Sequence, residues 1–194
     1  MPIATTDYAF CTLDDVKKFM MGSRDVADDV EDSNIEEMIK GVSTGMESFM
    51  DRKIMSREDT EYYDGDGTKY LFVDRYPIIT ISGIWDDRSW SWAASSLITS
   101  TEYRIQNEKT IVMNNLVFLD DEQNVKITYT AGYATAPTDL KMACIEEVTR
   151  RFHKKRDITL SSKTLDDGTN VYIVDDFLPH NKTIMNRYRR KYAL

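Results

Sequence analysis

The chain has 194 residues, is 41% apolar and 30% charged, and carries a net charge of −8. That is enough residues for one domain with a real core, or a domain with arms. It holds no apolar run near the ~20 residues that cross a bilayer and no basic-then-apolar leader at its start, so neither a membrane partner nor secretion is expected.

The charge is uneven. Residues 1–68 hold 7 basic and 17 acidic side chains (−10), residues 69–149 hold 7 and 11 (−4), and residues 150–194 hold 11 and 5 (+6). Free DNA is a poor ligand for such a chain, because phosphate binding needs net positive surface. An acidic end and a basic end do suit contact between copies, or docking of the basic tail on an acidic partner. Cys11 and Cys144 lack metal spacing and a disulfide framework, so reduced thiols are the default and a disulfide between them stays open.

Thr12 can cap a helix over LDDVKKFM, with Asp14 and Asp15 favoured by its dipole. The charged segment 22–31 reads as a loop. Asp32 or Ser33 then caps a helix to about residue 52, in which Ile35, Met38, Ile39, Val42, Met46, Phe49 and Met50 recur every three or four positions. Gly41 and Gly45 each cost such a helix about 1 kcal/mol against alanine. The expectation is that they admit a close neighbouring helix, near Ala143.

Residues 60–130 read as strands and turns. Glu61–Tyr63 and Lys69–Val73 flank Asp64-Gly65-Asp66-Gly67, which predicts a hairpin between them. Further strands are expected at 78–84, 103–106, 110–113, 116–119 and 124–129. Trp85 is expected in the core, and Trp90 and Trp92 in an exposed Ser-rich loop, where they would meet a neighbouring protein. The run from Asp64 fails as a calcium loop, because its fifth, sixth and twelfth residues are Thr68, Lys69 and Arg75. The three tryptophans could stack bases, but Asp86 and Asp87 oppose the basic groove such sites use.

Tyr129 closes an alternation with Val125 and Ile127, Gly132 suits a turn, and Pro137 can open a helix to about residue 156. Its apolar face holds Leu140, Ala143, Cys144, Val148 and Phe152. Residues 157–179 read as an extended arm carrying Val171 and Ile173. A last helix, about 181–192, carries Ile184, Met185 and Tyr188 beside Arg187, Arg189, Arg190 and Lys191. His153 and His180, the two histidines, sit in no catalytic pattern, and no nucleophile elbow, zinc motif or phosphate loop occurs. No catalytic residue, cofactor or metal ligand is assigned; scattered carboxylates leave a metal-dependent nuclease as a remote alternative.

The stretch YTAGYATAPTDLKMACIEEVTRRF (129–152) resembles the head–tail connector proteins of long-tailed bacteriophages, the adaptor or head-completion proteins. So do the order of TLDDVKKFM, GMESFMDRKI, EYYDGDGTKYLFVDRYPI and the closing FLPHNKTIMNRYRRKY, which spread the resemblance over about 180 residues. It implies a structural protein that forms a ring, commonly of twelve copies, beneath the portal after packaging. Such a ring extends the channel for double-stranded DNA and receives a stopper or tail-completion protein. A different neck or tail-completion component is the alternative.

The resemblance also implies that the last helix, through Ile184, Arg187, Tyr188, Arg189 and Arg190, docks on the portal. Trp90, Trp92, Val171 and Ile173 are candidates for contacts between subunits or with other neck proteins. The expected fold is α+β, a mainly helical bundle with antiparallel hairpins. Its expected parts are a core over 1–156, an arm over 157–179 and a docking helix over 180–194. Because that helix looks poor in core residues, truncation after Pro179 is expected to leave a folded protein.

Overall fold

A computed structural model describes residues 8–20, 29–155, 162–164, 170–172 and 176–190. The chain forms two compact units, one from residues 1–52 and 135–194 and the other from residues 53–134. The second is inserted in the sequence of the first. The α+β class is as expected, but the helical-bundle emphasis is not. The inserted unit is strands and loops with a single 3-10 turn at Ala94–Ser96, and it has a core of its own.

In the first unit, α1 (Leu13–Met20) starts where Thr12 and Asp15 bind each other, Asp15 N to Thr12 Oγ1 at 3.2 Å and Thr12 N to Asp15 Oδ2 at 3.0 Å. This reciprocal pairing satisfies donors that a helix start leaves open. α2 (Asp29–Met50) begins a few residues before the expected cap. It buries Ile35, Ile39, Val42, Met46 and Met50, the stripe that the 3.6-residue period sets out. α3 (Thr138–Lys155) lies along α2 and buries Leu140, Ala143, Cys144, Val148 and Phe152. α4 (Pro179–Tyr188) packs against both, with Pro179 at the start, where its missing N–H costs nothing.

The glycine expectation needs correcting. Among the described residues nothing lies within 4 Å of the position a Gly41 Cβ would take, and a Cβ on Gly45 would stand 3.3 Å from Cζ of Phe177, not against Ala143. The close approach is real, but it is made by the aromatic ring that precedes α4. Short strands β7 (Ser162–Thr164) and β8 (Asn170–Tyr172) pair antiparallel.

The inserted unit holds two three-stranded sheets. β1 (Arg57–Gly65) and β3 (Ile78–Asp86) both pair antiparallel with β6 (Asp121–Ala131), which is therefore central. β2 (Tyr70–Phe72) and β4 (Tyr103–Gln106) flank β5 (Thr110–Met113). The expected hairpin between 61–63 and 69–73 is thus absent as a pair: its two arms belong to different sheets. Residues 116–119 form no strand, although Phe118 is buried and its N–H donates to Thr68 O at 2.8 Å.

The core of this unit gathers Leu71, Ile84, Ile111, Phe118, Ile127 and Tyr129, with β6 pointing Val125, Ile127, Tyr129 and Ala131 inward at strand period. Asn124, fully buried, stitches the far end. Its Oδ1 accepts from Gly65 N at 2.8 Å and its Nδ2 donates to Asp86 Oδ1 at 2.8 Å and Leu119 O at 2.9 Å. Only glycine fits at position 65, because a Cβ there would fall 1.8 Å from Leu119 O. Buried Arg75 ties the near end, donating to Arg57 O and Ala131 O at 2.9 and 3.0 Å beside Asp59 at 3.2 Å. Entry and exit are also joined: Tyr133 N donates to Ile54 O and Ser56 N to Tyr133 O, each at 2.9 Å.

Candidate docking surfaces

The basic helix is built into the first unit as well as presented by it. Asn181 and Met185 are fully buried and Phe177 nearly so, whereas Ile184 and Tyr188 are half-buried. The anchor is Glu147, a carboxylate with no exposed surface on the inner face of α3. Its Oε1 accepts from Leu178 N at 2.6 Å and Asn181 Nδ2 at 3.1 Å, and Arg150 donates to its Oε2 at 2.8 and 3.1 Å.

Burial pushes the Glu147 carboxyl up. The hydrogen bonds from Leu178, Arg150 and Asn181, with the Arg150 charge, more than offset that and hold it below the ordinary carboxylate range. Tyr188 donates to Asp139 Oδ1 at 2.8 Å, and Arg190 N donates to Met50 O at 3.0 Å. These contacts weigh against the expectation that truncation after Pro179 spares the fold. It would strip Asn181 from Glu147 and leave the Met185 cavity open.

Of the five residues assigned to docking, Arg187 and Arg189 are exposed, and Ile184, Tyr188 and Arg190 are half-buried. Arg189 stacks 6.0 Å from the Phe49 ring centre, Phe49 meets Phe177 edge-on at 6.1 Å, and Arg151 lies 5.4 Å over Phe177. These contacts interleave two cations with two rings where α4 meets the rest of the unit.

The inserted unit presents an aromatic slot of about 220 Å³ lined by Tyr62, Trp90, Trp92 and Gln123. Its loop is organised by Asp87, which accepts from Ser89 Oγ at 2.6 Å, Ser91 Oγ at 2.8 Å, Ser89 N at 2.8 Å and Trp92 N at 2.9 Å. Those bonds, the Ser89 hydroxyl first, hold the Asp87 carboxyl well below its usual range. They also hold Trp90 and Trp92 in the left-handed region, with φ of 55° and 51°.

Trp90 is 60% exposed. Trp92 is only half-exposed, since it packs on Tyr62 at 5.5 Å between ring centres and lies 5.8 Å from the Lys126 ammonium. Trp85, expected in the core, is half-buried. Its ring folds back over Gly83 and takes Lys126 at 4.6 Å. Phe72 is exposed on β2 by 67%, which sequence reading overlooked; its alternation with buried Leu71 was the available signal. The side chain of Val171 and all of Ile173 lie outside the described residues.

Among the described residues no cluster of three His, Cys, Asp or Glu side chains could hold a metal, and no helix is long and apolar enough to cross a membrane.

The chain matches the family model described as head completion protein over residues 9–191. No curated protein matches it in sequence. Three solved structures share its fold, each covering the whole of this chain at 13% identity. A chain of the neck of a native GTA particle, computed with C12 symmetry, has a TM-score of 0.61 and is 94% covered. A chain of the neck of an empty GTA particle with C6 symmetry gives 0.65, and one from the virion of a native gene transfer agent particle gives 0.64, each 95% covered.

Proposed function

The chain belongs to the head completion protein family, and from that premise we propose that it is a structural subunit of the phage neck, acting as a head–tail connector. The observation that carries this reading is the family match, which takes in α1 to α4 and both sheets of the inserted unit. In it, copies form a ring beneath the portal after packaging, extend the DNA channel and receive the next neck or tail protein. The fold shared with chains of GTA necks computed with sixfold and twelvefold symmetry supports a ring, with twelve copies as the proposed number. The protein performs this role by shape and contact, with no reaction of its own.

Side-by-side contacts in such a ring are heterologous, so one face of each copy must complement a different face of the next. The Trp90 slot offers an aromatic anchor for one such face, and the exposed Arg187 and Arg189 offer cations for the portal. The inserted unit, residues 53–134, holds 8 basic and 13 acidic side chains, a net −5. Where it borders the channel, like-charge repulsion lets duplex DNA slide past without adhering.

Mixing the purified protein with isolated portal rings tests the reading. A stoichiometric ring on the portal, measured by native mass and electron microscopy, is expected. Binding to a tail tube or to a pre-formed neck, with none to the portal, would move the protein to a stopper or tail-completion place.

A further inference from the structure

We propose that Cys11 and Cys144 form a peroxide-responsive pair that closes into an intramolecular disulfide within the folded protein. Closure would tie the segment before α1 to the inner face of α3. The inference is independent of where the protein sits in a particle.

Both thiols are free, both are buried, and their Sγ atoms stand 3.6 Å apart although 133 positions separate them in the chain. Bond formation needs an approach of only about 1.6 Å. The surroundings are built. Ser43 Oγ lies 3.6 Å from Cys144 Sγ and accepts from Phe10 N at 3.1 Å, so one hydroxyl fixes both the backbone beside Cys11 and the second sulfur.

Access is one-sided and small. Cys11 lines a pocket of about 90 Å³ with Ala9, Leu13, Glu36, Ile39 and Lys40, whereas Cys144 has no exposed surface. A peroxide-sized molecule fits that space, since a water's share of liquid is about 30 Å³. A peptide disulfide such as oxidised glutathione does not.

Access sets the order of events and prevails over the hydrogen bond in which the Cys11 thiol donates to Cys144 Sγ. The Cys11 sulfur attacks one peroxide oxygen, the O–O bond breaks, and the departing hydroxide takes the thiol proton as water, leaving Cys11 as a sulfenic acid. The Cys144 sulfur then attacks the Cys11 sulfur and the S–O bond breaks. The hydroxyl leaves with the Cys144 proton as a second water. Two thiols and one hydrogen peroxide give one disulfide and two waters, with two electrons passed to the oxidant.

The test treats the native full-length protein with hydrogen peroxide, without denaturant, and maps its peptides under non-reducing conditions. A peptide linking residues 11 and 144 is expected, with both thiols lost to titration. The melting temperature should rise by about 5–10 °C, because the closed loop is long, and return on reduction. In C144S a sulfenic acid trapped by dimedone should appear at position 11, and in C11S none should appear at position 144. Two free thiols after treatment, a link formed only in denaturant, a link between molecules, or trapping at 144 instead of 11 would each overturn the proposal. The wild-type peptide map decides it even where a serine variant fails to fold.

Discussion

Gly45 on α2 faces the edge of the Phe177 ring, and a methyl group at that glycine would stand 3.3 Å from Cζ. The ring enters from the chain just ahead of α4, so a residue with no side chain makes the seat for a distant aromatic.

Replacing Gly45 with Leu is expected to cost about 1–3 kcal/mol by overpacking, read as a lower urea midpoint. The same substitution in a Phe177→Ala background should cost measurably less. The coupling between the two changes, rather than either alone, tests the contact. Strictly additive effects would show that Phe177 is not what Gly45 accommodates.

Glu147 makes stability depend on acid. Its folded pKa is depressed, so its contribution is complete above the unfolded value near 4.3 and is lost as pH falls through the folded value. Denaturation midpoints should therefore drop more steeply below about pH 4 in the wild type than in E147Q. E147A, which leaves Leu178 N, Asn181 and Arg150 facing a void, should cost about 3 kcal/mol at neutral pH. Parallel pH profiles for wild type and E147Q would remove the carboxylate from this role.

The last helix separates into anchoring and presenting residues. Truncation after Pro179 should unfold the first unit or lower its stability sharply, seen as lost helical circular dichroism. R187A/R189A should stay within about 1 kcal/mol of wild type, since both side chains are exposed and only the Arg189–Phe49 contact is lost. That double variant should still weaken portal binding, and the wild-type interaction should fade with added salt. Undiminished, salt-independent binding by R187A/R189A would exclude these cations from docking.

Trp90 and Trp92 are expected to behave differently despite lying two residues apart. W90A should leave the thermal midpoint unchanged, yet weaken assembly of rings by about 2 kcal/mol or more if it anchors an interface. W92A should lower the midpoint, because Tyr62 and Lys126 lose a partner. Rings of wild-type stability with W90A would dismiss the slot as an anchor.

Much of the helical unit was legible because its signals are local and periodic. The stripe Ile35–Ile39–Val42–Met46–Met50 and the stripe on α3 each announce a buried face, and both are buried. Pairing in the inserted unit was not legible. The Asp64–Gly67 turn is a strong local hairpin signal, but the ladder follows long-range burial, and β6 supplies an apolar edge to both β1 and β3.

The polar anchor of α4 was missed for a related reason. Glu147 continues the Leu140–Cys144 spacing onto the buried face, and Asn181 precedes Met185 by four, so both sit on apolar stripes. That position is the only hint in the sequence, because their partnership spans 34 residues. The candidate docking surfaces are less legible still, since exposure of Trp90 and packing of Trp92 depend on how Asp87 shapes one loop.

The strand unit closes its own ends, with Tyr133 paired to both Ile54 and Ser56. The chain therefore enters and leaves this unit at neighbouring points, whatever lies between them. Loops such as 87–97 can lengthen, shorten or be replaced without moving that doorway. A foreign cassette whose ends meet at the same spacing could be grafted there, which makes the insert the part of the molecule freest to follow a changing neighbour.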